Sequence, residues 1–142
     1  DCPLIDPMVV DRVIQSFLDT DVDYASNVNP PTYPHGLDVE VLGYSALEYM
    51  WKNAKLPREL EHVTSFIRES EHFNKHNVES GINYSWHRWT VDEPEDFIVV
   101  NNIYSHFSPR INFSWEEIAG CYENNKPLFS SNEHLSLKSK RE

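Results

Sequence analysis

Cysteine is scarce in this 142-residue sequence, which contains only Cys2 and Cys121. Two thiols cannot form the ladder of paired cysteines typical of small secreted scaffolds, and no Cys/His spacing matches a zinc site. Reduced thiols are the ordinary state in a cytoplasm, so we expect a cytoplasmic protein. Long hydrophobic runs are also absent, because no stretch approaches the roughly 20 apolar residues of a membrane span. We therefore expect no membrane partner.

Basic residues are the second shortage. The sequence has 12 Lys and Arg against 23 Asp and Glu, a formal net charge of −11. A field of this sign repels phosphate backbones, so nucleic acid is excluded as the expected partner. A single nucleotide is not excluded, since Mg²⁺ can mediate between carboxylates and phosphates.

The sequence also lacks an initiator methionine, and no strand pattern precedes Asp1. Asp1 nevertheless stands in a motif that α/β proteins place directly after a strand. The expectation is therefore a chain that begins inside a larger fold, with N-terminal strands missing. The 142 residues themselves amount to roughly one domain.

Apolar spacing and capping signals predict the elements of this domain. Asp6-Pro7 is an N-cap followed by a first-turn proline, and residues 114–117 match a capping box. Strands that alternate with helices indicate an α/β fold with a mixed, mostly parallel sheet flanked by helices. We assign residues 1–126 to the domain and residues 127–142 to a polar, loosely held tail. The predicted helices cover residues 7–19, 45–54, 57–67 and 94–107 and a segment from 115, and the predicted strands cover 23–27, 38–43, 77–79 and 87–91.

Two aspartates have the context of metal ligands at strand ends. Asp1 lies in the segment DCPLIDP, and Asp92 lies in TVDEPEDF, where each precedes a proline that can begin a helix. Carboxylates at the carboxyl ends of strands face the crevice where ligands bind in α/β sheets. Each also has an ordinary alternative: Asp1 as a frayed terminal residue or helix cap, and Asp92 as the N-cap of the next helix.

Two further segments are candidates for ligand contact. Residues 33–40 (YPHGLDVE) place aromatic, imidazole and carboxylate groups around Gly36, which permits a positive φ or a close backbone approach. Such a loop could bind a polyhydroxylated ligand, or it could be a plain proline-rich connection. Glu61 and His62 lie within a predicted helix and either point into a pocket or lie at the surface.

These motifs in this order resemble a known family. Residues 1–7 (DCPLIDP), 32–41 (TYPHGLDVEV), 61–64 (EHVT) and 88–97 (RWTVDEPEDF) are similar to the spore-coat polysaccharide cytidylyltransferase-like proteins. These proteins are relatives of the enzymes that make CMP-activated 3-deoxy-manno-octulosonate and CMP-activated sialic acids. The resemblance runs from residue 1 to about residue 123, and the stretch around 32–41 is specific to the spore-coat branch.

The resemblance implies a Rossmann-like nucleotide-diphospho-sugar transferase fold, of which this chain would be the C-terminal part. It implies Mg²⁺ bound by Asp1 and Asp92, and no catalytic side chain beyond these ligands. The family's N-terminal glycine- and arginine-bearing loop, which cradles the triphosphate, is not in the sequence, so the nucleotide-binding residues are unknown. The substrate-facing positions implied by the resemblance are Tyr33, His35, Asp38, Glu40, Glu61 and His62.

The implied reaction joins CTP and an ulosonic-type sugar acid into a CMP-sugar with release of pyrophosphate, in surface polysaccharide biosynthesis. The isolated chain, which has no phosphate loop, is expected to be inactive. Alternatives are a glycosyltransferase on the same fold and a non-catalytic binding or assembly domain. We also expect a homodimer or a pairing with the missing N-terminal half, through exposed apolar residues of which Val39, Val41, Trp89 and Val91 are the candidates.

Overall fold

The computed structural model of the chain describes residues 1–138, which contain seven α-helices, three strands and two short 3₁₀ helices. None of the helices in this range is both long and apolar enough to cross a membrane. The elements in chain order are α1 (Pro7–Asp19), β1 (Tyr24–Ser26), β2 (Glu40–Leu42), α2 (Tyr44–Asn53), α3 (Pro57–Glu61), α4 (Ser65–Glu69), β3 (Lys75–Asn77), α5 (Pro94–Phe107), α6 (Trp115–Tyr122), the 3₁₀ helices Lys126–Leu128 and Ser130–Asn132, and α7 (Glu133–Lys138).

The three strands form one small mixed sheet in the order β2-β1-β3. Ala25 in β1 is opposite Val41 in the antiparallel β2 and opposite His76 in the parallel β3. The prediction of a mixed α/β fold is confirmed, but the prediction of a mostly parallel sheet is wrong for the described residues. The segment between β1 and β2 contains no crossover helix, so β2 returns antiparallel, as short connections require.

The predicted helix starts are confirmed for α1 and α6. The Met8 N–H donates to the Asp6 carboxylate over 2.8 Å, which makes Asp6 the N-cap of α1. The other Asp6 oxygen accepts from the Trp115 N–H over 2.9 Å and so joins the starts of the two helices. At α6, Ser114 and Glu117 form the predicted capping box.

Three predicted elements differ from the structure. The helix expected over residues 57–67 is two short helices, α3 and α4, because His62 adopts an extended conformation between them. The strand expected at 77–79 lies two residues earlier as β3. Residues 87–91 form no regular strand, because their backbone pairs only at separate points, with His35 through His87 and Trp89 and with Asp1 through Val91.

The main core lies between α1, α5, α6 and the loop before β2, and it includes Leu37, Trp89, Val99, Ile103 and Ile118. Trp89 is fully buried, so its predicted place on an exposed apolar surface is wrong. Val39, Val41 and Val91 are partly buried and pack against buried residues of the core clusters. The predicted apolar strand edge is therefore mostly covered by the chain's own side chains.

The segment after residue 126 is anchored to the rest of the domain at Phe129 and Asn132. Phe129 is 3% exposed and belongs to the main core. The Asn132 side chain is equally buried and donates to the Arg88 carbonyl and to the Asp96 carboxylate. Composition suggested a polar tail because charged and small residues surround these two anchors, while residues 139–142 lie outside the described part.

Candidate active site

Asp1 and Asp92 lie next to each other, although ninety residues separate them in sequence. The Val91 N–H donates to the Asp1 carbonyl over 2.7 Å, and the Asp1 amino group donates to the Val91 carbonyl over 3.0 Å. The same amino group is 3.3 Å from Oδ1 of Asp92. The two aspartates are therefore adjacent, as a shared metal site requires, although residues 87–91 before Asp92 form no regular strand.

The Asp92 carboxylate is half-exposed and is oriented by its neighbours. Its Oδ2 accepts from Nη2 of Arg88 over 3.0 Å and lies 3.3 Å from the Thr90 hydroxyl. The alternative role as a helix N-cap does not apply, because Glu93 occupies that position of α5. Asp92 is thus a surface carboxylate held beside a cation, with one edge open to solvent.

The buried carboxylate of Asp96 holds Arg88 in the position from which it contacts Asp92. It accepts five hydrogen bonds: two from the Arg88 guanidinium, one from Asn132 and one each from the N–H groups of Asp92 and Glu93. Burial opposes its ionisation, but these donors hold the pKa of Asp96 well below its usual range. The ionised Asp96 therefore fixes Arg88, and Arg88 in turn fixes Asp92.

The donor set of this site is compatible with Mg²⁺. The ion prefers oxygen ligands, keeps several waters and is usually bound by one or two carboxylates together with substrate phosphates. The Asp1 side chain is fully exposed, and each Asp92 oxygen has acceptor capacity beyond its present bonds. Within residues 1–138 no three His, Cys, Asp or Glu side chains are grouped to hold a metal. The protein could therefore supply two ligands, and metal binding stays a prediction.

His35 and Asp38 form a second polar pair close to this site. Nδ1 of His35 is 2.9 Å from Oδ2 of Asp38, and the same oxygen accepts from the Gly36 N–H. The hydrogen bond to Asp38 raises the pKa of His35 above its usual value, and the negative charge of Asp92 acts in the same direction. Burial would raise the pKa of Asp38, but the hydrogen bonds from His35 and Gly36 outweigh it and leave the pKa lowered.

Gly36 is the residue that brings this pair to the Asp92 segment. Its φ is +106°, and a Cβ atom at this position would lie 2.7 Å from the Thr90 nitrogen. Both reasons considered from the sequence, a positive φ and a close backbone approach, are therefore confirmed. Any side chain here would push the loop away from the Trp89-Thr90 backbone.

The structure places the other two predicted loop residues elsewhere. Tyr33 is buried, packs edge-on against Trp115 and accepts a 2.9 Å hydrogen bond from Arg12 at its hydroxyl. Glu40 accepts from the Tyr24 hydroxyl over 2.7 Å and lies 3.8 Å from Arg68. Neither side chain contacts Asp1 or Asp92, and a role in substrate binding stays a prediction for both.

Glu61 and His62 are exposed at the end of α3. The His62 backbone bonds to Arg58 and Ser65, but within the described residues neither side chain is joined to Asp1, Asp92 or His35 by a hydrogen bond or ion pair. Their predicted contact with a substrate stays a prediction. The structure brings together Asp1, His35, Asp38 and Asp92.

Sequence reasoning missed the three residues that organise the site: Arg88, Asp96 and Asn132. Asp96 was detectable in part, since an acidic residue three positions after a helix cap commonly bonds back to the cap. Arg88 looked like a residue of a strand, and Asn132 looked like part of a tail. No local signal links either of them to Asp96.

Comparison with known proteins gives two similarities. No protein-family model matches the chain. It is 31% identical over 150 aligned positions to the uncharacterized protein MJ1063 of Methanocaldococcus jannaschii, an alignment that covers all of this chain and 58% of that protein. Its structure superposes on that of a cytidylyltransferase from Leptospira borgpetersenii serovar Hardjo-bovis with a TM-score of 0.85 and 26% identity, covering 91% of this chain and 55% of the other. The chain spans a little over half the length of both proteins. Its described residues have a cytidylyltransferase-like fold.

Proposed function

We propose that the chain is part of a sugar cytidylyltransferase, which joins CTP and an ulosonic-type sugar acid and releases pyrophosphate. The observation that carries this proposal is the pair Asp1 and Asp92, side by side in a cytidylyltransferase-like fold. The spore-coat type of substrate and a place in surface polysaccharide biosynthesis rest on the sequence resemblance. Since the chain covers only part of the similar proteins, the activity is proposed for a protein that includes the remaining length.

In this proposal Asp1 and Asp92 would hold Mg²⁺. The ion would supply neutralisation of charge that develops on the phosphates during nucleotidyl transfer. Asp96 fixes the Arg88 guanidinium, and Arg88 holds the Asp92 carboxylate in one direction, which removes the cost of ordering it during the reaction. No side-chain nucleophile is needed, because a sugar hydroxyl attacks the α-phosphate directly.

His35 and Asp38 are the residues best placed to contact the sugar. His35 is half-exposed and anchored to Asp38 at Nδ1, which leaves Nε2 available to a ligand hydroxyl or carboxylate. A protonated His35 would attract the carboxylate of a sugar acid, and its raised pKa favours that form. Tyr33, Glu40, Glu61 and His62 remain further candidates from the resemblance.

Metal binding can be tested on the 142-residue chain itself. Mn²⁺ added in trace amounts should broaden the amide NMR signals of residues 91–93, and Mg²⁺ should restore them by competition. Asp92→Asn should remove the broadening, whereas Asp21→Asn, a change at an exposed acidic residue outside the site, should leave it. Equal broadening by Mn²⁺ in the original chain and in the Asp92→Asn variant would rule out this metal site.

The activity test uses a protein that carries these residues together with the rest of the length found in the two similar proteins. Pyrophosphate release is measured with each nucleoside triphosphate against a panel of ulosonic acids, and CTP should be preferred. Asp92→Asn should reduce the rate of pyrophosphate release by at least about 100-fold. Mutation of residues that only hydrogen-bond to a metal ligand already lowers metal affinity or activity by about 10–100-fold. Sugar transfer from a nucleotide sugar, without pyrophosphate release, would favour the glycosyltransferase alternative. The 142-residue chain alone should release no pyrophosphate.

A further inference from the structure

A groove of about 320 Å³ lies between α6 and the loop that precedes Arg88, apart from the aspartate pair. Its walls are aromatic: the rings of Tyr84, Trp86, Trp115 and Tyr122 line it together with the imidazole of His87. Neither the proposed reaction nor the metal site uses these residues. A volume near 320 Å³ is at the lower end of small-molecule pockets and suits one compact head group.

Two of the rings pack edge to face and form a corner, and a ligand in the groove would lie beside both rings and not between them. The Trp86 and Tyr122 centroids are 4.8 Å apart and their planes meet at 71°. Trp86 is supported from behind, because it stacks on His87 with centroids 3.6 Å apart. His87 is buried and makes an edge contact with Tyr122, so both rings of the corner pack against the same imidazole. Trp86 itself is 40% exposed, which leaves part of its surface open to a ligand.

The groove is lined by negatively charged side chains and should therefore favour a positively charged ligand. Glu116 and Glu123 are exposed at its edge, and none of the groove's lining residues is Lys or Arg. Aromatic faces attract cations through the ring quadrupole, and nearby carboxylates add a separate Coulomb attraction. The chain already contains one such contact, since the Lys126 ammonium lies 5.6 Å from the Tyr122 centroid and 3.4 Å from the Glu123 carboxylate. Tyr122 and Glu123 therefore attract an ammonium group, and an added ligand competes there with the exposed Lys126 side chain.

We propose that this groove binds a small organic ammonium ion, with Trp86 and Tyr122 contacting the cation and Glu116 and Glu123 balancing its charge. The proposal is independent of the nucleotidyltransferase activity, because it rests on a different surface. A neutral apolar ligand of the same shape would lose the attraction of both the ring faces and the carboxylates.

Choline and its neutral isostere 3,3-dimethylbutan-1-ol test the proposal. Each is titrated into the chain at constant ionic strength while the tryptophan indole N–H signals are followed by NMR. Choline should shift the Trp86 and Trp115 signals saturably and leave Trp51, an exposed tryptophan on α2, unchanged. The alcohol should give no saturable shift. A monosaccharide added as a third ligand should also give none.

Two variants and a control complete the test. Trp86→Leu should weaken choline binding about fivefold, in line with the loss of one partly exposed cation–π contact. Glu123→Gln removes an exposed carboxylate whose only ion pair in the described residues is the surface contact with Lys126, so it should cost little stability and should weaken binding a few-fold. Trp51→Leu, the matched control, should bind choline as well as the original chain. Absence of saturable shifts, an equal response to the alcohol, or equal affinity in the Trp86→Leu and Trp51→Leu variants would overturn the proposal.

Discussion

Asp96 accepts hydrogen bonds from two distant parts of the chain, the Arg88 side chain before α5 and the Asn132 side chain after it. These bonds place an ionised carboxylate in the core without leaving its charge unpaired, which is the condition for burying it at all. The same guanidinium then reaches the surface and orients Asp92. A single buried residue thus couples the stability of the domain to the direction of a proposed metal ligand.

Replacing Asp96 by Asn should be strongly destabilising, because the Arg88 guanidinium then lacks its charged partner. Removing one member of a buried ion pair typically costs about 3–5 kcal/mol. Urea unfolding of Asp96→Asn should therefore show a large loss in the free energy of unfolding. Glu95→Gln, one residue earlier on the same helix turn and without a hydrogen bond to Arg88, is the control and should change it little. Equal stabilities of the two variants would contradict the assigned network.

His87 makes the free energy of unfolding depend on pH in a separate range. Burial lowers the pKa of His87 to about 4, whereas the unfolded chain titrates near 6.5. Between these values the unfolded state binds a proton that the folded state excludes, so stability falls as the pH decreases from 6.5 to 4. The loss should be on the order of 2–3 kcal/mol.

His87→Phe should flatten this slope, since the aromatic packing is kept and the titrating group is removed. The measurement is urea unfolding at several pH values across the range. His35 has the opposite effect on the pH dependence of stability. Its pKa is raised in the folded chain, so the stability that it contributes is present below its unfolded pKa and is lost as the pH rises through the folded pKa. An unchanged slope in His87→Phe would show that another group titrates here.

For the secondary-structure elements, the sequence predicted correctly the helix starts that depend on residues within the helix or next to it. Helices α1, α5 and α6 were predicted within a residue or two at their starts, because proline, cap residues and helical apolar spacing all lie within the segment itself. Gly36 and the capping role of Asp6 were equally local. Asp1 and Asp92 are adjacent as a shared metal site requires, but the strand expected before Asp92 is not formed in the described residues.

What the sequence did not predict depends on long-range contacts. Trp89 was expected on an exposed edge, but Gly36 brings the backbone of another loop onto it and the core closes over its ring. The break between α3 and α4 occurs at His62, where helical spacing of apolar residues continued. The link from Asp96 to Asn132 joins residues 36 positions apart with no pattern between them. These features depend on packing that no short window of sequence contains.

Phe129 lies in a segment that composition predicted to be a loosely held tail and that the structure places in the core, so its mutation distinguishes the two descriptions. A loosely held tail would tolerate Phe129→Ala with little change in stability. A core residue that is 3% exposed should instead cost about 3–5 kcal/mol when truncated to alanine. Ser130→Ala, at the exposed neighbouring position, is the control and should stay within about 0.5 kcal/mol. Thermal or urea unfolding distinguishes the two cases directly.

For the whole molecule, the largest unexplained feature is an exposed apolar surface on the helices α2 and α3 and the turn after them. Single exposed apolar side chains are common, but a contiguous group with a polar border is typical of a protein interface. Two salt bridges supply charged groups beside this apolar surface. Glu48–Lys52 lies on α2, and Arg58–Glu69 joins α3 to α4. We name this the helical patch; its exposed members are Tyr44, Leu47, Trp51, Leu56, Leu60 and Val63.

We expect a homodimer that forms through the helical patch rather than through the strand residues suggested by the sequence. Trp51 and Leu60 are 79% and 68% exposed and line one shallow depression, so they are suitable anchors. A net charge of −11 on each copy opposes association, and added salt screens this repulsion. Dimerisation should therefore strengthen as the salt concentration rises.

Light scattering across a range of protein and salt concentrations measures the mass directly. Leu60→Glu should shift the chain to a monomer, because it places a charge at the centre of the patch. Ile111→Glu changes an equally exposed apolar residue outside the patch and adds the same charge, so it should leave the dimer intact. A monomer at every concentration, or equal weakening by the two variants, would show that the helical patch does not join two copies of this chain.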